Sequence, residues 1–236
     1  MAISQPVFPY GTELIAAFEK CLSAERLASY YALAKGDRLL GIQLHERNTE
    51  LSEALYGVIQ GLEVTLRNVI HNVMTTSLGT PGWCDHFQWE EPELTAVQEA
   101  KAKITEKLLP STPGRLVAEL TFGFWVKLTA YPYERKLWFA HLHQIVPSTV
   151  RRKNLHGRLM EFKTLRNRIA HHERIIGRAR DLPTEYQNII DVIGWLDPHI
   201  QSWVRHKNCF TERYTKPLKR TRTVPPPASN SVSTVK

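Results

Sequence analysis

Cysteine is scarce in this chain of 236 residues: Cys21, Cys84 and Cys209 are odd in number, far apart and outside any CxxC spacing. That argues against a disulfide framework or a thiolate zinc site, and it fits a reducing, cytoplasmic setting. Long apolar runs are missing as well. Every hydrophobic stretch is cut by charge before it reaches the roughly 20 residues that a membrane-spanning helix needs, so no membrane partner is expected. The opening MAISQPVFPYGTEL lacks a basic segment leading into an apolar block, and no secretory signal is expected. There is no Gly-rich phosphate loop, no internal repeat and no useful length of strand-like alternation. His141 and His143 are two residues apart and fall on different helix faces, and no H-x-x-x-H pair or carboxylate cluster occurs elsewhere. Neither a metal site nor another cofactor is implied.

What is present is an ordinary globular mixture, 42% apolar and 23% charged, in a length that suits one domain with a sizeable core. The charge is unevenly spread. Of a net +8, six basic residues and no acid lie from Arg213 onward, and residues 151–180 hold ten basic residues against Glu161 and Glu173. The rest of the chain is therefore net −6. A basic segment on a mildly acidic body is an electrostatic address for a polyanion, most often nucleic acid, or else simply a solvated face. The stretch KPLKRTRTVPPPASNSVSTVK has few apolar residues and three successive prolines, so 213–236 is expected to be a disordered basic tail behind a folded domain of 1–212.

Helical periodicity dominates that domain. Leu14, Phe18, Leu22 and Leu27 predict a helix over 12–34, ended at Gly36. Leu51, Leu55, Val58, Leu62, Leu66, Val69 and Val73 define one face of a long helix from about 38 to 78, stopped by GTPG. A polar helix follows over about 92–109, then an apolar helix in LVAELTFGFWVKL and a short one near 133–145. The last helices contain LRNRIAHHE (165–173) and, after Pro183, a stretch to about 205 with Ile189, Ile190, Ile193, Leu196, Ile200 and Trp203 as core positions. Trp125, Trp138 and Trp195 share this core spacing and read as packing residues. The fold class is all-α.

LRNRIAHHE is the candidate for chemistry, and its residue types alone fit either a basic helix with surface histidines or a site that handles phosphate. On a helix over 155–173, Leu155, Leu159, Phe162, Leu165 and Ile169 form one stripe. Measured from Phe162, Asn167 lies at about 140° and His171 at about 180°, facing water or another surface, while Arg166 sits at about 40° beside the stripe. His172 and Arg168 flank the far side. Imidazole titrates near pH 6.5 as a roughly neutral-range base or acid, and guanidinium offers permanent planar charge to phosphate. Such groups suffice for RNA cleavage: a base takes the 2′-OH proton, the oxygen attacks phosphorus, and cations stabilise the growing charge. The ends would be a 2′,3′-cyclic phosphate and a 5′-OH. Arg166 and His171 lie about 140° apart, so two helices facing each other in a symmetric homodimer would join them more simply than one chain.

RNRIAH (Arg166, Asn167, Arg168, Ile169, Ala170, His171) resembles the R-N-x-x-x-H motif of HEPN ribonucleases. GLEVTLRN (61–68), LTFGFWVKL (120–128) and IGWLDPHIQSW (193–203) occur with it in an order similar to that of Abi-like proteins of bacterial abortive infection. The resemblance spans roughly 25–205. It implies an all-helical, dimeric HEPN-like bundle and a metal-independent endoribonuclease acting in phage defence or as a growth-arresting toxin. Arg166, Asn167 and His171 would be catalytic, with RNA as partner, tRNA included, and an antitoxin or phage trigger as further candidates. Glu173 stands where one toxin subfamily has the tyrosine of H-x-Y, so that subfamily's chemistry is not carried over. A nuclease-inactive RNA-binding or scaffold protein of a defence system is the alternative.

Other basic residues, Arg151, Arg152, Lys153, Arg158 and Arg174, are candidate RNA contacts. His172, Arg168, Glu63, Arg67 and Asn68 are candidate supporting residues. In EVTLRNVIH (63–71), Glu63, Arg67 and His71 share one helix face. They either line the same cleft or form a Glu63–Arg67 ion pair with His71 satisfied beside it; the roles of Arg67 and Asn68 stay open.

Overall fold

The computed structural model describes residues 10–179 and 181–218. Arg180 and the expected tail from Lys219 onward lie outside the described residues. Within them the fold is all-α, with no strand. In chain order come α1 (Thr12–Leu22), α2 (Ala24–Leu33), α3 (Arg38–Leu78), α4 (Glu91–Glu106), α5 (Pro113–Glu119), α6 (Phe122–Lys127), α7 (Arg152–Ala170), α8 (Leu182–Leu196), α9 (Pro198–Lys207) and α10 (Phe210–Thr215). α10 runs three residues into the segment expected as tail. No described helix is long and apolar enough to cross a membrane. The chain forms two compact units, one ending at Leu51 and resuming at Thr215, the other spanning Ser52–Tyr214.

In the smaller unit the helix predicted over 12–34 is two. Ser23 adopts a left-handed φ of 68° between them, and its hydroxyl accepts the Arg26 N–H at 3.3 Å. Tyr31 donates to Glu19 (2.9 Å), whose carboxylate also receives Arg38. Gly41 permits the close crossing of α3 on Tyr31, because a Cβ there would meet the Tyr31 ring.

The larger unit contains the basic segment. α3 buries Leu55, Val58, Leu62 and Leu66 as its spacing predicts, but then Ile70 and Met74. Val69 and Val73 are only half-buried, since the inward stripe drifts around so long a helix. Trp83, Phe87, Trp89, Phe124 and Tyr133 form a chain of ring contacts that ties the loop after α3 to α6, with centroids 4.6–6.4 Å apart where they are paired with one another and with His71. The single apolar helix expected in LVAELTFGFWVKL breaks at Leu120, and Thr121 then caps α6 at the Phe124 N–H. The region near 133–145 is not one helix. It is a 3-10 turn (Tyr131–Tyr133), a π-helical turn (Glu134–Phe139) and another 3-10 turn (Leu142–Ile145). α7 packs against α6 and α8, and its five stripe residues are all buried.

The last expected helix also divides. Pro198 has no N–H to continue α8, and Asp197 caps α9 through the N–H groups of Ile200 (3.0 Å) and His199 (2.8 Å). α9 folds back on α8 and buries Val204 near Gly61. Ile200 and Trp203, expected in the core, are exposed instead, Trp203 by 56%. The change of helix axis re-aims every residue beyond the proline. Those cap hydrogen bonds, with Ile200's leading, hold the Asp197 carboxyl below its ordinary 3.8. A lowered folded-state pKa contributes stability above the unfolded value that is lost as pH falls through the folded one. Asp197→Ala is accordingly expected to lower the thermal unfolding midpoint at pH 7, with the gap closing as pH falls below 3.8. Differential scanning calorimetry across acid pH checks this, and a pH-independent gap would contradict it.

Candidate functional site

The motif helix is predicted through residue 173, but α7 ends at Ala170. The reason lies in the two histidines. His171 is the C-cap, its N–H bonded to the Asn167 carbonyl at 2.9 Å. His172 takes the left-handed conformation (φ 55°) and donates to Ile169 at 3.0 Å, and Glu173 donates back to Arg168 at 2.8 Å. This is a Schellman stop with histidine where glycine usually stands. The reversal returns the Glu173 carboxylate to Arg168, 3.2 Å away. So Asn167, His171 and His172 end on an exposed helix terminus rather than on one continuous face.

The arginines are placed differently. Arg166 and Arg168 are half-buried, and the Nε of each is enclosed by protein with no hydrogen-bond partner. Arg158, with its guanidinium carbon 4.8 Å from the Trp195 ring centroid, also has an enclosed, unpartnered Nη1. Three guanidiniums of one helix thus keep unmet donors. Each such donor costs about 1–3 kcal/mol relative to a satisfied one. Trp195, read from its spacing as core, is half-buried and serves as the platform for Arg158.

The other predicted residues divide into engaged and free. Arg152 is engaged: its Nε donates to Glu134 (2.8 Å) and its Nη1 to the Thr129 carbonyl (2.9 Å). Arg174 donates to the Ile176 carbonyl at 3.2 Å. Arg151 and Lys153 are exposed, with no side-chain hydrogen bond or ion pair to the described residues. On α3, Arg67 turns to Asn68 (3.3 Å) and makes no ion pair with Glu63. His71 accepts the Trp83 indole N–H at 3.0 Å, and burial holds its pKa below the usual value. No hydrogen bond or ion pair links Glu63, Arg67 or Asn68 to Arg166, Asn167 or His171, nor Arg166 to His171, among the described residues. Within one chain the candidate residues thus make no direct polar link to one another across the two helices.

No known family anchors the site. Comparison with protein-family models, with curated proteins and with solved structures finds no match. The chemistry must be read from the side chains alone. Among the described residues no three His, Cys, Asp or Glu side chains cluster as metal ligands. A cleft of about 280 Å³ lies beside α7, lined by Met160, Glu161, Thr164, Leu165, Arg178 and Glu185. None of the motif's catalytic candidates lines it. The carbonyl end of α7 also favours cations, so any anion drawn to Asn167 and His171 has to be held by the arginines.

One test isolates the stop from the chemistry. A left-handed conformation costs an L-residue roughly 1–2 kcal/mol, partly offset by the greater unfolded-state freedom of glycine. His172→Gly is expected to leave stability unchanged or raise it by up to about 1 kcal/mol, whereas His172→Val lowers it by about 1 kcal/mol. Urea denaturation of the two variants gives the answer; a clear loss in the glycine variant would mean that the imidazole itself holds the turn.

Proposed function

We propose that this chain is a metal-independent endoribonuclease of the HEPN, Abi-like kind. It acts in the cytoplasm in abortive infection or as a growth-arresting toxin. The observation that carries this reading is the grouping on one helix of three half-buried arginines, Arg158, Arg166 and Arg168, with Asn167 and His171 exposed at its end. A phosphate, or a second copy of the same helix, would meet these half-buried arginines through their other guanidinium N–H groups, since the enclosed nitrogens are closed to any outside acceptor. Because Arg166 and His171 are not linked within one chain, the proposed site is composite, built across a homodimer.

In that site His171 takes the 2′-OH proton, and the 2′-oxygen attacks the adjacent phosphorus. Arg166 stabilises the charge on the non-bridging oxygens. The bond to the 5′-oxygen breaks and that oxygen takes up a proton, leaving a 2′,3′-cyclic phosphate and a 5′-OH. Asn167 orients the scissile group. DNA is excluded as a substrate because it lacks the internal nucleophile.

His171→Ala is expected to slow cleavage of RNA by about 10²–10⁴-fold and to relieve growth arrest on expression. Arg166→Lys is expected to lose most activity as well, since lysine lacks the planar fork. End-mapping of total RNA incubated with purified protein in EDTA provides the measurement. Equal cleavage by wild type and His171→Ala would sink the reading. RNA binding with no cyclic-phosphate ends would favour a nuclease-inactive RNA-binding protein instead.

A further inference from the structure

The most exposed aromatic rings of the larger unit lie outside the motif, on the segment that leads into α7. Tyr131 is 76% and Phe139 64% exposed. Their outward setting follows from what their neighbours bury. Tyr133 is fully enclosed; its hydroxyl accepts the Glu90 N–H (3.1 Å) and donates to buried Glu93 (2.6 Å). Burial and the Glu93 contact raise the Tyr133 pKa far above its ordinary value, so it stays a donor. Leu137 and Trp138 are also buried. With these three pointing inward, Tyr131, Arg135 and Phe139 are left exposed.

The first turn of α7 meets this segment. Arg152, held by Glu134 and the Thr129 carbonyl, lies with its guanidinium carbon 5.9 Å from the centroid of the Tyr131 ring. His156 shares Thr129: the threonine hydroxyl donates to the Val126 carbonyl at 2.7 Å and sits 2.9 Å from His156 Nδ1. The carboxylates packed against this segment are paired. Glu134 is matched by Arg152, and Glu90 by Lys136 at 2.7 Å. Lys127, Arg135, Arg151 and Lys153 are exposed, with no acidic partner among the described residues.

We infer that this surface binds single-stranded RNA, with bases stacked on Tyr131 and Phe139 and phosphates met by Lys127, Arg135, Arg151 and Lys153. Exposed rings set among unpaired cations match the two faces of a single strand, its apolar bases and its charged backbone. A duplex keeps its base faces stacked inside and cannot use the rings. Arg152 stiffens Tyr131 from one side and leaves the rest of the ring open. The inference rests on the endoribonuclease reading for its choice of RNA, and it names the substrate class as unpaired RNA. It adds a positioning surface distinct from the Arg166, Asn167 and His171 group.

The test uses the full chain carrying His171→Ala, so that the probe survives, and fluorescence anisotropy with a labelled oligouridine of about 15 nucleotides, long enough to cross one such surface. Base stacking is worth about 1–3 kcal/mol per base, so the double variant Tyr131→Ala/Phe139→Ala is expected to weaken binding by at least about tenfold. Its circular dichroism should be unchanged, because both rings are mostly outside the core. Tyr131→Phe/Phe139→Tyr should restore affinity. Lys127→Gln/Arg135→Gln should flatten the salt dependence. The proposal is overturned if the double alanine variant binds the oligouridine as tightly as its parent. An equal loss of affinity for duplex RNA would also overturn it, as would loss only for phosphatidylserine vesicles. The two readings fail separately. His171-dependent cleavage with an unchanged KM in the double alanine variant removes the platform and keeps the nuclease; ring-dependent binding without cleavage does the reverse.

Discussion

Burial of one stripe on α7 governs the larger unit's chemistry. Leu155, Leu159, Phe162, Leu165 and Ile169 all lie inside, between α6 and α8. At about 1.5–3 kcal/mol for each large apolar side chain, the stripe outweighs the cost of partly enclosing a few arginine nitrogens. The helix cannot rotate to relieve Arg158 or Arg166 without lifting Phe162 out of the core. Both arginines border the stripe, about 40° to either side of Phe162, so partial enclosure follows from their register. The enclosed donors of Arg158 and Arg166 are a consequence of that packing.

Two local devices translate that setting into a surface. At the far end, His172 accepts a left-handed backbone and Glu173 folds back on Arg168, which leaves Asn167 and His171 at an exposed terminus. At the near end, Arg152 is consumed by Glu134 and Thr129. This fastens the start of α7 to the irregular turns carrying Tyr131 and Phe139. Both ends are held by polar contacts at the margin of an apolar core. The aromatic cluster around Trp89 acts further back, seating Tyr133 and thereby turning its neighbours outward.

Much of this was legible in the chain. The helical class, the bounds of α3 and the buried stripe of α7 follow from apolar spacing, because periodicity directly reports which side chains share a face. His71 as a satisfied histidine was one of two open readings, and the indole of Trp83 supplies its partner. The splitting of helices was less legible. Ser23 and Leu120 carry no strong breaker signal, and Pro198 did, but a continuous apolar period across it masked the change of axis. For the same reason Ile200 and Trp203 looked like core. The fate of each arginine was not legible at all, since residue type and spacing do not say whether Glu134, Trp195 or a backbone carbonyl will stand opposite.

By itself the sequence determined the helical class, the concentration of positive charge in and after α7, and the juxtaposition of arginine, asparagine and histidine in one short motif. These depend on local periodicity and composition. Tertiary structure alone decided which guanidiniums are satisfied and which have enclosed, unpartnered nitrogens, and that Tyr131 and Phe139 face outward. Those outcomes depend on which partners distant in sequence come to stand opposite each side chain, and a side chain's hydrogen bonds and exposure exist only once the core around it has closed.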